Sequence, residues 1–382
     1  MLPRLENLAL QCSETARILV SGPRKSGKST LCRCLINNLL AQSSNHHQQQ
    51  QHQPTTFGSD GVLFLDLDPG QPELAAPGTI YLAHIRAPLL GPSFTTLIPP
   101  CSTSTENTML RMHYLGSSTP RDSPSYYLAC VAELWSLYCT KKHLPLVVNT
   151  CGWITGSGKE MLHSLVQKIR LSTVIYLGQG CSMLWRDAAF TDVEGQPKPV
   201  TILPSQPDYK PRKSGRDLRE IQIRAYMHAM GFADGQIVWD LLPISTQIGP
   251  SANSWEIPVN NITVVVLTSE LRPKYIADAL HGSIVAMVVS KHDVLEAAAA
   301  AQELYVRHTY KEHIPYLLGD VNMGKLLDPV STECLGLGLV SVTSSELTQI
   351  GIRSPIPSTS IQEQISNGFQ IVLVLGSSST MI

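Results

Sequence analysis

Short apolar runs recur along the first half of the chain, and each is followed by polar loops or by segments with helical spacing. The runs are short enough for strands that are buried on both faces, and they lie at residues 17–21, 61–67, 144–149 and 173–177. Apolar residues three and four positions apart predict helices over 29–40, 126–139 and 161–170. Strands that alternate with helices predict an α/β domain with a parallel sheet and helices on both of its faces.

The pattern changes after about residue 244. Further β-like runs lie at residues 261–267, 284–289, 336–342 and 369–375, and an Ala-rich segment at 294–306 has helical spacing. We therefore predict a first α/β domain over 17–244, a smaller β-rich domain over 245–382, and a short N-terminal remnant over 1–16.

Three segments of the first domain depart from this regular pattern. Residues 41–60 are rich in Gln, His and Ser, and we predict a disordered insertion there. Residues 88–125 are rich in Pro, Ser and Thr, which favours irregular structure. Residues 205–230 begin as a polar stretch and continue into a helical pattern.

Residues 22–29 read Gly-Pro-Arg-Lys-Ser-Gly-Lys-Ser, directly after the first predicted strand. Glycines in this spacing let backbone N–H groups surround a phosphate, and the helix that follows directs the positive end of its dipole to the same anion. The lysine of such a loop reaches the β- and γ-phosphates, and the serine hydroxyl binds the Mg²⁺ between them. The alternative is a glycine turn with an exposed lysine. The segment predicts an ATP·Mg²⁺ site formed by Gly22, Pro23, Arg24, Lys25, Ser26, Gly27, Lys28, Ser29 and Thr30.

Two aspartates, Asp66 and Asp68, follow the second predicted strand. An open parallel sheet binds its ligand at this edge, and side chains at i and i+2 of a strand point the same way. An aspartate there holds Mg²⁺ through water or accepts a proton from an attacking hydroxyl. The alternative is a simple turn at Asp-Pro-Gly.

A glycine-rich loop with a tryptophan follows the third predicted strand, at residues 148–158. An exposed Trp153 would stack on a nucleobase whichever base it is, whereas a buried one would only fill the core. Lysines and arginines are dense over residues 210–224, where arginines on a mobile segment would stabilise a transferring phosphoryl group. The alternative there is a solvated helix face.

Composition limits the classes of function. The formal net charge of −1 gives no overall attraction to nucleic acid, so a nucleic-acid site must be a local basic patch. No apolar run approaches eighteen residues, so we expect no membrane partner. The nine cysteines form no Cys-x-x-Cys pair, which favours reduced thiols in the cytosol or nucleus. Asn149 precedes Thr-Cys-Gly instead of the Lys-x-Asp of small GTPases, so ATP is expected to act as a phosphate donor.

Together these segments resemble the RNA 5′-hydroxyl kinase family of P-loop proteins. The matching motifs are the phosphate loop at 22–30, an Asp-x-Asp-x-Gly-Gln strand end at 66–71, a clasp ending in Thr-Pro at 116–120, an Asn-Thr-x-Gly-Trp loop at 149–153 and an arginine-bearing lid at 219–224. Stretches at 68–78, 91–94, 120–127 and 334–340 resemble the nucleolar branch of pre-rRNA processing more than the branch of the mRNA cleavage factor.

The resemblance implies transfer of the ATP γ-phosphate to the 5′-hydroxyl of RNA, with Mg²⁺ as cofactor. It implies four catalytic residues. Lys28 holds the phosphates, Asp68 accepts the proton, and Arg219 and Arg224 close from the lid. It places the metal at Ser29 and Asp66. It assigns the RNA end to Gln71, Thr119 and Trp153, and it implies that Asp66 and Gln71 arrange the waters of the metal.

The resemblance further implies an endoribonuclease partner, pre-rRNA 5′ ends as substrate, removal of internal transcribed spacer 2, and a nucleolar location within the nucleus. Family members carry a substantial domain before the phosphate-loop strand, whereas about sixteen residues precede it here, so we expect a fragment or a truncated gene product. Two other functions stay open: an ATP-binding scaffold subunit without kinase activity, and a kinase of small metabolites.

Overall fold

Two large β-sheets dominate the structure, which is a computed structural model. It describes residues 16–49, 61–98, 106–178, 200–205, 213–233, 236–241, 244, 254–267, 271, 275–291, 307–309, 312–318, 327–342 and 348–376. The first sheet has seven strands, the second has eight, and a two-stranded hairpin follows the first sheet in the chain. None of the described helices is both long enough and apolar enough to cross a lipid bilayer.

The first sheet holds the segments that carry the predicted chemistry. Its strands are β1 Arg17–Ser21, β2 Val62–Leu67, β3 Thr79–Ile85, β4 Asn107–Tyr114, β5 Leu146–Thr150, β6 Thr173–Leu177 and β7 Val200–Leu203. They are arranged in the order β4-β3-β2-β5-β1-β6-β7. Neighbours from β2 to β7 are parallel, while β3 is antiparallel to β2 and β4 is antiparallel to β3. The carboxyl ends of β1, β2 and β5 therefore meet at one edge.

The four predicted strands of this sheet are confirmed, and they form a parallel sheet as predicted. The strands β3 and β4 extend it as an antiparallel edge, and β4 lies inside the stretch predicted to be irregular. Only the last three residues of β4 are buried, because one flank of this strand is open. A half-buried edge strand of this kind lacks the continuous apolar run that marked β1 and β2.

Four of the described helices accompany the first sheet, and each helix predicted for this domain is present. They are α1 Lys28–Gln49, α2 Pro124–Cys139, α3 Ser157–Lys168 and α4 Gly215–His228. The disordered insertion over 41–60 is wrong in its first part, because α1 continues to Gln49. Residues 41–49 contain neither glycine nor proline, so nothing in them ends a helix. Residues 50–60 lie outside the described part of the chain.

The predicted β-rich region forms the second sheet. The hairpin β8 Ala229–Ala233 and β9 Gln236–Trp239 leads to it. Its strands are β10 Ser254–Pro258, β11 Ile262–Val266, β12 Ile284–Lys291, β13 Arg307–Thr309, β14 Glu312–Leu318, β15 Thr332–Ser341, β16 Gln349–Arg353 and β17 Phe369–Leu375, with helices α5 Ile276–Leu280 and α6 Ser358–Ser366. The four predicted runs correspond to β11, β12, β15 and β17. The predicted Ala-rich helix lies outside the described residues.

The two sheets contact each other through β4 and β15. The Arg111 guanidinium on β4 lies 3.1 Å from a carboxylate oxygen of Glu333 on β15. Buried side chains of both sheets also belong to one apolar core, in which Val288 and Leu337 join the residues that pack on the first sheet. The second sheet is therefore packed directly against the sheet that carries the phosphate loop.

Candidate active site

The loop between β1 and α1 has the backbone shape that a phosphate requires. Gly22, Lys25 and Gly27 all have positive φ, at 152°, 64° and 97°. A Cβ at Gly22 would lie 2.5 Å from the carbonyl oxygen of Leu177, so only glycine fits there. Helix α1 begins at Lys28, and the N–H groups of its first turn have no partners within the helix. These donors converge on the space above the loop.

Two buried side chains of the loop add polar groups to this space. Lys28 is 6% exposed, and its ammonium donates a hydrogen bond to the carbonyl of Pro23 at 2.9 Å. Burial lowers the pKa of Lys28, and the negative charge of Asp68 opposes this shift. The Ser26 hydroxyl is buried and has no hydrogen-bond partner among the described residues. An anion is the ligand that would satisfy these groups together with the backbone donors.

Asp68 lies directly beyond the end of β2 and is half-buried. One of its carboxylate oxygens accepts a hydrogen bond from the N–H of Gly70 at 3.0 Å. Burial raises the pKa of Asp68, and the nearby positive charge of Lys28 opposes the rise. The structure thus brings Lys28 and Asp68 into electrostatic contact at the carboxyl edge of the sheet, as the sequence predicted for their elements.

Asp66 does not point into this space alongside Asp68. It has no exposed surface, and its carboxylate accepts four hydrogen bonds. One oxygen accepts from the Asp68 N–H at 3.2 Å and from the Asn149 amide at 2.9 Å. The other accepts from the Glu73 N–H at 2.8 Å and from the Tyr81 hydroxyl at 3.0 Å. With its acceptor sites occupied, Asp66 orients the loop that carries Asp68, and this geometry disfavours a direct bond from its carboxylate to a metal.

Burial also raises the pKa of Asp66 to about 7, against the hydrogen bonds from Glu73 and Asn149 that lower it. Of the two predicted metal residues, Ser29 lies half-buried in the first turn of α1. The described residues contain no group of three or more His, Cys, Asp and Glu side chains suited to a metal ion. Mg²⁺ typically keeps several waters and uses one or two protein groups together with substrate phosphates.

The loop after β5 packs directly on the phosphate loop. A Cβ at Gly152 would lie 2.7 Å from the backbone nitrogen of Arg24, so glycine is needed for this close approach. The Thr150 hydroxyl donates to the carbonyl of Val20 on β1 at 2.9 Å, which fixes the start of the loop. Burial raises the pKa of Cys151 to about 11, and the Asp68 carboxylate adds to the rise. This thiol is therefore protonated and unreactive at neutral pH.

Trp153 is half-buried. Its exposure is therefore intermediate between the exposed stacking side chain and the buried core side chain that the sequence left open as alternatives. The guanidinium carbon of Arg121 lies 4.8 Å from the centre of its ring, within the range of a cation–π contact. Gly158 also approaches the ring closely, since a Cβ there would lie 2.6 Å from a Trp153 carbon. The indole is thus held against α3 and beside the arginine, so it is neither a core side chain nor a free platform.

The clasp covers the loop that follows Asp68. A Cβ at Gly70 would lie 2.9 Å from the carbonyl oxygen of Ser118, so the two segments touch. The predicted substrate residue Thr119 is half-buried, and its hydroxyl accepts a hydrogen bond from the Arg121 N–H at 3.3 Å. This bond caps the short 3₁₀ turn Pro120–Asp122 and directs the Arg121 backbone toward the tryptophan loop. Sequence reasoning gave Arg121 no role.

The structure separates the two predicted lid arginines. Arg219 lies near Gln71, because both side chains approach Gly215. A Cβ at Gly215 would lie 3.6 Å from an Arg219 guanidinium nitrogen and 3.5 Å from the Gln71 amide nitrogen. Arg224 is exposed on another face of α4 and forms an ion pair with Glu220 at 2.5 Å. Residues five positions apart on a helix differ by about 140° in direction. The described structure therefore brings only one of the two predicted arginines to this edge of the sheet.

Comparisons with known proteins agree with this architecture. The family described as mRNA cleavage and polyadenylation factor CLP1 P-loop matches residues 55–229. Proteins named polynucleotide 5′-hydroxyl-kinase Grc3 are 32% identical in Aspergillus terreus, over 94% of this chain and 49% of the relative, and 31% identical in Gibberella zeae, over 95% and 49%. The chain spans about half the length of the curated relatives it matches.

A solved structure of wild-type Clp1p in complex with Pcf11p superposes with a TM-score of 0.57 at 14% identity, over 97% of this chain and 76% of that one. At this identity the match concerns the fold. The comparisons confirm the predicted resemblance: the chain has a Clp1-like P-loop fold, and over nearly its whole length it is similar to proteins named polynucleotide 5′-hydroxyl-kinase Grc3.

Proposed function

We propose that the protein is an ATP-dependent polynucleotide 5′-hydroxyl kinase that transfers the γ-phosphate of ATP to the 5′-hydroxyl of RNA. The observation that carries the proposal is that the phosphate loop after β1, with its buried Lys28, and Asp68 directly after β2 lie at the same carboxyl edge of the sheet. A phosphate donor and a hydroxyl acceptor need such groups side by side at one edge of the sheet. The names of the Grc3 relatives support the same activity.

The residues present fit ATP and Mg²⁺. Gly22 leaves no room for a side chain, and the unpaired Ser26 hydroxyl and Lys28 ammonium line the cradle that the loop forms. Residues 22–30 would hold the phosphates, and the Ser29 hydroxyl would bind the metal. ATP supplies the phosphoryl group, and Mg²⁺ neutralises charge on its oxygens.

Asp68 is the residue placed to accept the proton of the attacking hydroxyl. Its carboxylate is half-buried, and the Gly70 N–H holds it in orientation. Burial raises the pKa of Asp68, and the positive charge of Lys28 opposes this rise, which favours the ionised form that a base needs. Arg219 adds positive charge from α4 beside Gln71, where it would stabilise the charge that spreads over the transferring group.

The RNA end would enter between the clasp and the tryptophan loop. Thr119 and Trp153 are half-buried there, and the Arg121 guanidinium lies over the indole. A guanidinium held on an aromatic ring suits a nucleic-acid end, because its plane can stack with a base and its N–H groups can pair with a phosphate. The chain as a whole is near neutral, so this local charge would carry the recognition.

We place this activity in the nucleolus, within the nucleus, on pre-rRNA 5′ ends that an endoribonuclease partner produces during removal of internal transcribed spacer 2. The support is the likeness of the sequence to the nucleolar branch and the names of its relatives. Cleavage that leaves a 5′-hydroxyl creates the acceptor that this kinase needs.

A labelled-ATP assay on 5′-hydroxyl RNA tests the proposal. The wild-type protein should label the RNA 5′ end, and Lys28→Ala and Asp68→Asn should each abolish labelling. Lys168→Ala and Asp278→Asn are matched controls, because both side chains are exposed on helices away from this edge. Labelling that persists in either active-site variant would refute the assignment of that residue.

Two other outcomes identify the alternatives. ATP binding or slow hydrolysis without any labelled RNA would indicate a scaffold subunit that uses ATP to hold a complex together. Small hydroxyl compounds that outcompete RNA for the label would indicate a metabolite kinase. RNA and DNA oligonucleotides of one sequence, assayed in parallel, would determine the nucleic-acid preference.

A further inference from the structure

Helix α4 presents three side chains on one face: Arg219, Gln222 and Tyr226. They are three and four positions apart, so the 100° turn per residue brings them onto a single stripe. Ser214 and Asp217 form a capping box at the start of the helix, which stabilises its first turn. The capped helix therefore holds these three side chains in fixed positions relative to one another.

The middle residue of the stripe ties α4 to the loop that follows Asp68. Gln222 is 2% exposed, and its amide nitrogen donates to the carbonyls of Pro72 and Ala75, at 2.5 and 2.7 Å. Both acceptors are carbonyl oxygens, so the amide must turn its nitrogen to them. On its other side the same loop is held by Asp66, which accepts from the N–H of Glu73. The loop is thus fixed between the strand end and the helix.

The last residue of the stripe ties α4 to the second sheet. Tyr226 is 2% exposed, and its hydroxyl oxygen accepts a hydrogen bond from the N–H of Leu337 on β15 at 2.9 Å. The contacts of Gln222 with the loop at 72–75 and of Tyr226 with β15 together fix both the position of the helix along its axis and its rotation about it.

The first residue of the stripe is left for a ligand. Arg219 lies one turn before Gln222, beside Gln71, and its Nε is buried without a hydrogen-bond partner among the described residues. A buried N–H without a partner is unfavourable, so an anion there would be bound favourably. Its position depends on how α4 is seated.

We propose that Gln222 is a positioning residue for phosphoryl transfer. It seats α4 on the loop at 72–75, and this holds Arg219 at the edge of the sheet where Lys28 and Asp68 lie. The inference rests on the proposed kinase function. A displacement of about 1 Å of a group that acts on the transition state can reduce the rate about 100-fold, so the seating of the helix is directly relevant to catalysis.

The test compares Gln222→Glu with Gln167→Glu, the same change at an exposed position of α3. A glutamate at 222 keeps the shape but directs an oxygen at two carbonyl oxygens, so the helix should shift. We expect kcat to fall at least about tenfold while the KM for ATP changes less than about twofold. Gln222→Met, which removes the donor without the repulsion, serves if Gln222→Glu folds poorly, and thermal unfolding of each variant identifies that case.

A double-mutant cycle with Arg219→Ala decides whether Gln222 acts through the arginine. If it does, the Gln222 substitution should reduce kcat less than about twofold once Arg219 is absent. Effects that multiply in full would overturn the positioning role, as would an unchanged kcat in both Gln222 variants.

Hydrogen exchange of the α4 amides gives a second readout that does not depend on activity. Exchange should be faster in Gln222→Glu than in wild type, and unchanged exchange would also refute the proposal. An inactive wild-type protein would refute the kinase function itself, whereas an active wild type with a multiplicative cycle refutes only the role of Gln222.

Discussion

Replacement of Asp66 by asparagine should destabilise the fold, because every partner of this carboxylate is a donor. The N–H groups of Asp68 and Glu73, the Asn149 amide and the Tyr81 hydroxyl all donate to it. In Asp66→Asn, the new NH₂ group faces two of these donors whichever way the amide turns. The Tyr81 hydroxyl already accepts a hydrogen bond from the Leu74 N–H at 2.9 Å, so it has no ready alternative orientation, and the Glu73 N–H beside it cannot become an acceptor.

The magnitude follows from these contacts. At least one buried N–H loses its acceptor, which costs about 1–3 kcal/mol, and the remaining bonds lose a charged acceptor. Because burial raises the pKa of Asp66 to about 7, its negative charge is unfavourable in the folded state. Removal of this charge therefore offsets part of the stability that the lost hydrogen bonds cost. We expect a net decrease of about 2–4 kcal/mol in the free energy of unfolding, which lowers Tm by about 3–8 °C in a folded unit of this size.

Thermal unfolding of Asp66→Asn beside Asp68→Asn measures this difference, together with the Mg²⁺ dependence of RNA labelling. The first variant should unfold at lower temperature, while the second should keep its Tm within a few degrees and lose activity. If Asp66 binds the metal directly, Asp66→Asn will instead keep its stability and require more Mg²⁺ for half-maximal labelling. That result would refute the positioning role.

Three further predictions concern the phosphate loop, the lid and the pH dependence of stability. Gly22→Ala should abolish ATP binding, because the new methyl group would lie 2.5 Å from the Leu177 carbonyl oxygen. Equilibrium binding of a labelled nucleotide checks this, and an unchanged affinity would contradict the assignment of the loop. Arg219→Ala should reduce kcat about 10³-fold if the residue acts as an arginine finger. Arg224→Ala should reduce kcat less than about tenfold, because that side chain is exposed and paired with Glu220. Equal reductions of kcat in the two variants would contradict the geometry. Burial raises the pKa of Glu73 to about 8, and the Arg33 guanidinium 3.2 Å from its carboxylate opposes this rise. The folded state thus favours the protonated form of Glu73, and stability should decline as pH rises from about 5 to 8. Denaturant midpoints across this range should decline less in Glu73→Gln, and identical pH profiles would show that Glu73 does not titrate there.

The phosphate loop could be predicted from the sequence because its determinants are local. Gly22, Gly27 and Lys28 shape the backbone and its charge within eight residues. Asp68 and Trp153 could be assigned to the same edge because the carboxyl ends of parallel strands meet there. These predictions needed only the order of strands and loops along the chain.

The role of Asp66 could not be predicted in the same way. The two-residue period of a strand shows which side chains share a face, but not what they meet on that face. The partners of Asp66 include Tyr81 on β3 and Asn149 on β5, and β3 is one of the strands that the sequence pattern did not reveal. The buried environment of a carboxylate depends on such distant neighbours.

The lid shows the same limit. A basic segment marks Arg219 and Arg224 equally, and only the orientation of α4 distinguishes them. That orientation depends on Gln222, whose partners are backbone carbonyls about 150 residues earlier in the chain. Main-chain acceptors leave no signature in residue types, so this contact is visible only in the fold.

Transfer of the label from γ-labelled ATP to 5′-hydroxyl RNA, compared between wild type and Asp68→Asn, tests the central claim most directly. The account predicts label at the RNA 5′ end with the wild-type protein, and none with Asp68→Asn at an unchanged affinity for ATP. Label transfer by Asp68→Asn at the wild-type rate, or ATP binding by the wild type without any labelled RNA, would contradict it.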